Sequence, residues 1–329
     1  MTSTENKKIL EKNFETQQLL LQHPPLITDE NKHIVFELGL RNPTVASQSI
    51  GYSRWQQQAL PTFVRNNNID CIAHDNFFSY PNSTKEYLEW HLNFAHEDLF
   101  AFYGGALFAQ DEMQVAEHPI LGCLREAILT DGIDRLTVEN GRATPILLTN
   151  VERRVAVATD INVGQGRPYG LYGNEFSYAP QNAIKQATRL LSPPTLSNII
   201  AVESPPPELG KYTREQVEFI LATAITGFSA ATMLTKRQNT NAKTSIHTGY
   251  WGCGAYGGNR ELMPLLQIIA AHCANVDILH FHTGGDHAGY NAALARLEHL
   301  LPLQAKASMA GLIKQILAIG YEWGVSDGN

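Results

Sequence analysis

The chain has 329 residues, 43% of them hydrophobic, enough for a sizeable buried core, which excludes a disordered protein. Its formal charge of −7 excludes the clustered basic surface on which phosphate-backbone affinity depends, so no nucleic-acid partner is expected. Four cysteines, Cys71, Cys123, Cys253 and Cys273, stand far apart with no Cys-x-x-Cys pair, which fits a reducing compartment and excludes a zinc-finger arrangement.

Residues 1–30 are polar, end near His23-Pro24-Pro25, and read as a loose helix or a disordered segment. Their apolar stretch is too short for a signal peptide, and no run in the chain approaches the roughly 20 apolar residues of a membrane span. The expectation is therefore a protein without a membrane partner, placed in the cytoplasm or delivered to a host cytoplasm without a cleaved signal. Residues 31–82 carry short apolar runs at 33–38 and 69–73 between the turn signals Asn42-Pro43 and Asn66-Asn67-Asn68, and read as an accessory layer ahead of a main domain at 83–329.

Ser83 and Glu86 have capping-box spacing, and Tyr87, Leu88, Leu92, Ala95 and Leu99 continue it as a helical stripe. A turn at Tyr103-Gly104-Gly105-Ala106 then leads to Gln110-Asp111-Glu112. Carboxylates are favoured at a helix start whether or not they do chemistry; the glycines just upstream favour a site. A helix is expected at 120–129 and strands at 144–149 and 154–159. Residues 160–180 form a long loop whose Tyr169, Tyr172, Phe176 and Tyr178 either stack on a base or pack the loop onto the body.

A buried strand at 198–203 stops at Ser204-Pro205-Pro206-Pro207, and a second capping box, Thr213 with Gln216, opens a helix running through Phe228. A strand at 244–248, a glycine-dense loop, a helix from Glu261, a strand at 276–282, and helices at about 287–301 and 304–319 complete the chain. Strands alternating with helices make the class α/β, with a parallel or mixed sheet. Ligands of such sheets sit at the carboxyl ends of strands, which places one at the glycine loop.

Gly252, Gly254, Gly257 and Gly258 allow positive φ and a close backbone approach, and the helix behind them offers N–H groups and the positive end of its dipole. That combination suits a diphosphate. Trp251 and Tyr256 add rings for sugars or bases. The loop satisfies G-x-G-x-x-G, but Asp277 lies at the start of the next strand, the wrong end to hold a dinucleotide's ribose, which weakens a nicotinamide oxidoreductase and leaves it a third hypothesis, and no Gly-Lys-Ser/Thr is present for a P-loop. His280-x-His282 with Asp286-His287 lacks a His-Glu-x-x-His or cysteine set, so no metal and no cofactor are expected.

The run Thr248-Gly249-Tyr250-Trp251-Gly252-Cys253-Gly254-Ala255-Tyr256-Gly257-Gly258 resembles the diphosphate loop of the poly(ADP-ribose) glycohydrolase class of macrodomains. Upstream, Asn93-Phe94-Ala95-His96, Gly104-Gly105-Ala106 and Gln110-Asp111-Glu112 are similar to that family's aspartate-phenylalanine-alanine-asparagine, triple-glycine and glutamine-glutamate-glutamate signatures, in the same order. The resemblance covers roughly residues 85–300. It implies a three-layer macrodomain-like α/β fold over 83–329, with a mixed central sheet flanked by helices and an N-terminal accessory region.

It also implies an ADP-ribosyl hydrolase. Glu112 would act as proton donor and then base, Asp111 would hold the ribose hydroxyls, and Gln110 would shape the loop. Gly104, Gly105 and Ala106 would press against the ribose, and Asn93 and His96 would belong to the substrate site. Gly254, Ala255 and Tyr256 would offer N–H groups to the diphosphate, with Trp251, Gly252, Cys253 and Gly257 completing the grip and Tyr172 stacking on adenine. The chemistry agrees, because an oxocarbenium-like transition state needs an acid for the leaving group and a base for water.

The departures carry information. Ala106 stands for the third glycine, Asp111 for the first glutamate, Asn93 and His96 for an aspartate and an asparagine, Tyr250 for the asparagine before the tryptophan, and the gap before Gln110 is shorter. They point away from polymer and toward single ADP-ribose groups on protein, with arginine-linked ADP-ribose on ubiquitin among the substrates through similarity to bacterial effectors. A non-catalytic ADP-ribose reader and a poly(ADP-ribose) glycohydrolase are the alternatives.

Overall fold

The computed structural model describes residues 7–41, 48–65, 69–302 and 306–328; the turns expected at Asn42-Pro43 and at Asn66, Asn67 and Asn68 lie outside the described residues. Its centre is an eight-stranded sheet built from β1 (Lys8–Glu15), β2 (Ser49–Trp55), β3 (Asp70–His74), β4 (Tyr87–Phe94), β5 (Ile146–Val157), β6 (Thr188–Val202), β7 (Lys243–Gly249) and β8 (Ile278–His282). The spatial order is β1-β2-β5-β6-β4-β7-β8-β3. Pairing is antiparallel from β1 to β6 and parallel from β6 to β3, so the sheet is mixed. The five parallel strands end on one edge of the sheet, and the site lies there.

The helices that matter are α1 (Glu30–Leu40), α2 (Gln110–Glu117), α3 (Ile120–Thr130), α4 (Arg214–Gln238), α5 (Leu262–Ala274), α6 (Ala288–Leu300) and α7 (Met309–Ile319). On one face of the sheet α4 and α5 pack Val217, Leu221, Leu265 and Ile269 against Leu88, Trp90, Leu92, Ile246, Leu279 and Phe281. On the other, α1, α2 and α3 pack Val35, Phe36, Val115 and Leu121 against Ile146, Leu148, Ile199 and Ala201. Each fully buried aliphatic side chain contributes about 1.5–3 kcal/mol, so the two layers of helices lock the sheet from both sides.

α4 begins at the expected capping box, with Thr213 and Gln216 each bonded to the other's backbone N–H. By length and composition it could cross a membrane, contrary to the expectation that no such run exists, but 67% of its apolar window is buried inside the protein. It is a core helix, tied to β4 by the Trp90 indole N–H, which donates to Thr235 Oγ1 at 3.0 Å.

Three expectations change. The helix expected after Ser83 is strand β4: Leu88 and Leu92 fit helical spacing, but Leu88, Trp90 and Leu92 also fit period two, and pairing with β7 and β6 decides the matter. Ser83 Oγ accepts from Glu89 N–H and caps no helix. One strand, β5, replaces the two expected at 144–149 and 154–159, because Asn150 takes φ 59° inside a bulge and its turn chemistry bends β5 without ending it. β1, β2 and β3 belong to the central sheet, so Lys8–Glu15, Ser49–Trp55 and Asp70–His74 are built into the main fold where a loose segment and an accessory layer were expected. β1 alternates in burial and carries Lys8, Glu11 and Lys12, as suits a sheet edge facing water.

Candidate active site

A cavity of about 400 Å³ opens at the carboxyl ends of the parallel strands. Phe94 ends β4 and Ala95 and His96 follow it, Ser204 lies just past β6, Gly249 ends β7 with residues 250–252 and 254–256 after it, and His282 ends β8 with Thr283 after it. The first turn of α2 enters from the opposite face of the sheet with Gln110, Asp111 and Glu112.

The acid end is dry. Asp111 is 6% and Glu112 4% exposed, where a solvated helix start would leave both in water. Burial pushes Asp111 above the ordinary carboxylate range and the Glu112 charge pushes it further, while a 2.9 Å hydrogen bond from Asn93 Nδ2 to its Oδ1 opposes the rise. Burial also raises Glu112, opposed first by the Lys32 ammonium and then by the N–H groups of Glu112 and Ala109. The pair therefore retains a proton into the neutral range and behaves as one coupled acid. Glu112, on the cavity wall, has a buried acceptor, Oε2, with no partner among the described residues, which asks for a ligand bringing hydroxyl donors.

The other end offers donors. Gly252 and Gly257 hold φ 72° and 64°, values that favour glycine, and a Cβ on Gly252 would stand 2.7 Å from Ser204. The turn bonds inside the loop use the N–H groups of Trp251, Cys253, Gly257 and Gly258 and bypass those of Gly254, Ala255 and Tyr256. The helix end behind the loop does not take part as expected, because Asn259 Oδ1 already accepts from the N–H groups of Glu261 and Leu262 at 3.0 Å. The anion seat is thus the loop itself, with Arg260 the one guanidinium among the cavity-lining side chains.

Of the residues expected in the site, Gln110, Asp111, Glu112, His96, Tyr172, Trp251, Gly252, Gly254, Ala255 and Tyr256 line this one cavity. Asn93, Cys253 and Gly257 stand behind it. Asn93 buttresses Asp111, burial pushes the Cys253 thiol up to about 12, and Gly257 packs on the backbone of residues 324–326. Gln110 spends both ends of its amide on β4, accepting from Phe94 N–H at 2.7 Å and donating to the Leu92 carbonyl at 2.9 Å, so it fixes the helix start to the strand.

The glycine turn is a correction. Gly104 does not face the cavity: its carbonyl accepts from Thr28 and Asp29 N–H, and a Cβ there would lie 2.1 Å from the Leu26 carbonyl oxygen. It is glycine because the N-terminal segment crosses it, and Gly105 and Ala106 likewise line no part of the cavity.

Lys32, Arg260, Phe77 and Asp327 escaped sequence reasoning. Lys32 is fully buried on α1, donates to the Tyr103 carbonyl at 2.9 Å, and is lowered to about 8 by burial against the opposing pull of Glu112. No local pattern reveals it. Arg260 directly follows the glycine loop and was the one findable signal.

Residues 161–290 match the family model of "Poly (ADP-ribose) glycohydrolase (PARG), Macro domain fold". That stretch holds the glycine loop and stops short of α2 and its acids. Among solved structures the chain is similar to a PARG from Thermomonospora curvata bound to the inhibitor ADP-HPD, with 12% identity, 87% of this chain and 84% of that one covered, and a TM-score of 0.42. It is also similar to a PARG from Deinococcus radiodurans in complex with ADP-ribose, with 12% identity, coverage of 88% and 95%, and a TM-score of 0.41. The fold is the PARG-like, macrodomain-like α/β fold that the resemblance implied, and the matched family is one of glycosidase-type hydrolases.

Proposed function

We propose that the protein is an ADP-ribosyl hydrolase that releases single ADP-ribose groups from modified protein, with arginine-linked ADP-ribose its preferred substrate and ubiquitin the first carrier to test. The observation that carries this reading is the polarity of one cavity. N–H groups without a hydrogen bond among the described residues stand with Arg260 at one end, and a buried acidic pair, one of whose acceptors has no partner among those residues, stands at the other. ADP-ribose has the matching order, a diphosphate followed by a ribose rich in hydroxyl donors.

The reaction follows from the state of the acids. A proton held by the Asp111–Glu112 pair at neutral pH serves the departing group, and the carboxylate left behind takes a proton from water as it attacks the ribosyl carbon. Lys32 balances the charge left on the pair.

Arginine linkage is supported by Phe77 and Tyr172. Their rings are 9° from parallel with centroids 6.4 Å apart, close to the spacing that holds one flat group between them. The Tyr172 hydroxyl accepts from the Gln110 N–H at the start of α2, with the Asp327 and Glu112 carboxylates both near it. A guanidinium leaving group fits between such faces, which favours giving Tyr172 to the leaving side and not to adenine.

The test offers purified protein ubiquitin carrying arginine-linked ADP-ribose, proteins modified on serine or acidic residues, and polymer. Free ADP-ribose should appear from the arginine linkage, and Glu112→Gln should slow release by about 10²–10⁴-fold while calorimetry still detects ADP-ribose binding. Binding without turnover on every linkage would make the protein a reader, and release from polymer alone would make it a poly(ADP-ribose) glycohydrolase.

A further inference from the structure

Below the cavity, the parallel strands carry a set of imidazoles that the proposed hydrolysis does not use. His91 of β4, His247 of β7 and His280 of β8 are register partners in one row across the sheet. Glu89 lies two residues before His91 and so shares its face. The rings stack, His91 on His247 at 4.8 Å and His247 on His280 at 4.5 Å between centroids. Glu89, His247 and His280 each present a ligand atom, and these atoms all lie within 4.8 Å of one another.

We propose that Glu89, His247 and His280 form a binding site for a divalent transition metal of the zinc class. Zinc binds imidazole nitrogen and carboxylate oxygen at about 2.0–2.2 Å, so two ligand atoms on one tetrahedral ion stand roughly 3.3 Å apart. His247 Nε2 and Glu89 Oε2 already stand 3.0 Å apart. The His280 ligand atom lies within 4.8 Å of both.

The far side of each ligand ring is engaged as a metal site requires. His247 Nδ1 pairs with His282 Nε2 at 3.0 Å, and His282 Nδ1 pairs with Asn76 Oδ1 at 2.6 Å. His280 Nδ1 pairs with His74 Nε2 at 2.8 Å. Such outer partners fix ring orientation and leave Nε2 of His247 and His280 for the ion.

Glu89 and His280 are only half-buried, so solvent reaches the site and water completes the coordination. Two imidazoles and one carboxylate suit zinc or cobalt; magnesium and calcium take oxygen ligands. The ion takes the place of the hydrogen bond between His247 Nε2 and Glu89 Oε2.

The experiment uses the tag-free full-length protein, stripped with a chelator, desalted, and titrated with cobalt(II) and then zinc(II). One equivalent of cobalt should bind with the intense visible bands of a low-coordinate ion, be displaced by one equivalent of zinc, and raise the thermal midpoint. His280→Ala and Glu89→Gln should each weaken cobalt binding at least about tenfold, whereas His299→Ala on α6 should bind like the parent. Melting without metal shows whether each variant folds; if His280→Ala does not, the near-isosteric Glu89→Gln decides. No stoichiometric cobalt, or unchanged affinity in a folded Glu89→Gln, overturns the proposal. The readout involves no ADP-ribose, so it stands or falls apart from the hydrolase reading.

Discussion

Glu203 is 8% exposed and accepts a 3.2 Å hydrogen bond from the Tyr256 hydroxyl, which places a titrating group directly behind the diphosphate loop. Burial is the largest cause of its rise from 4.5 to about 7. A carboxyl raised by folding stabilises the protein fully below its unfolded value, and that contribution is lost as pH rises through the folded value. Glu203→Gln stays neutral at every pH, so the variant should gain on the parent by about 3 kcal/mol between pH 4 and pH 8, taking about 1.4 kcal/mol per unit. Urea denaturation across that range measures the difference, and a constant gap would remove Glu203 from the account. Lys32 acts on the acids in the opposite sense. Lys32→Met removes the cation that favours an ionised Glu112, so the pair should hold its proton more tightly and the acidic limb of the pH–rate profile should move to higher pH. An unmoved limb with slower turnover would mean that Lys32 only packs α1.

At the scale of elements, a strap formed by the last described residues crosses the glycine loop. Trp323 stacks on Tyr212 at 4.4 Å, Gly324 N–H donates to the Gly257 carbonyl at 2.7 Å, and Asp327 lines the cavity. A Cβ on Gly254 would lie 3.0 Å from Asp327 Oδ2, so a carboxylate stands beside the seat proposed for the diphosphate. Like charges compete there, and Asp327→Asn should tighten ADP-ribose binding about three- to tenfold by calorimetry, most clearly at low salt. Unchanged affinity would mean that the strap lies clear of the ligand. The same scale shows what the sequence could express. The strand, glycine loop and helix at 243–274, and α4 with its capping box, were legible because their signals are local: a period, a cap, a cluster of glycines. β4 was not, since a strand buried on both faces shows helical and strand spacing at once, and β1 was not, since an edge strand looks like polar coil until β2 pairs with it. Gly104 was misread for a related reason: an unbranched backbone position is visible in sequence, but whether ribose or residues 26–28 press on it is not.

At the scale of the molecule, the cavity is the seam between the two packed layers. Its acids ride on α2, whose core lies on one face of the sheet, and its glycine loop leads into α5, whose core lies on the other. Only the tertiary fold brings residues 110–112 within one cavity of residues 249–256, and only it sets Lys32 behind them, so the order of motifs was readable while their mutual geometry was not. A ligand gripping both ends ties the two layers together and must stabilise the whole chain, by about 2.7 kcal/mol at a hundredfold excess over its dissociation constant. For a chain of this size that is a rise of a few degrees in the thermal midpoint. ADP-ribose should produce it, and AMP, which lacks the second phosphate and the far ribose, should produce less. Glu112→Gln should keep the rise, because the loop still holds the diphosphate. Gly254→Val should lose it, since φ there needs no glycine and the first atom met is the end of the Asp327 side chain, not backbone, so the added side chain intrudes on the anion seat; the variant's own melt shows that it folds. An equal rise in Gly254→Val and the parent would place the ligand somewhere other than this seam.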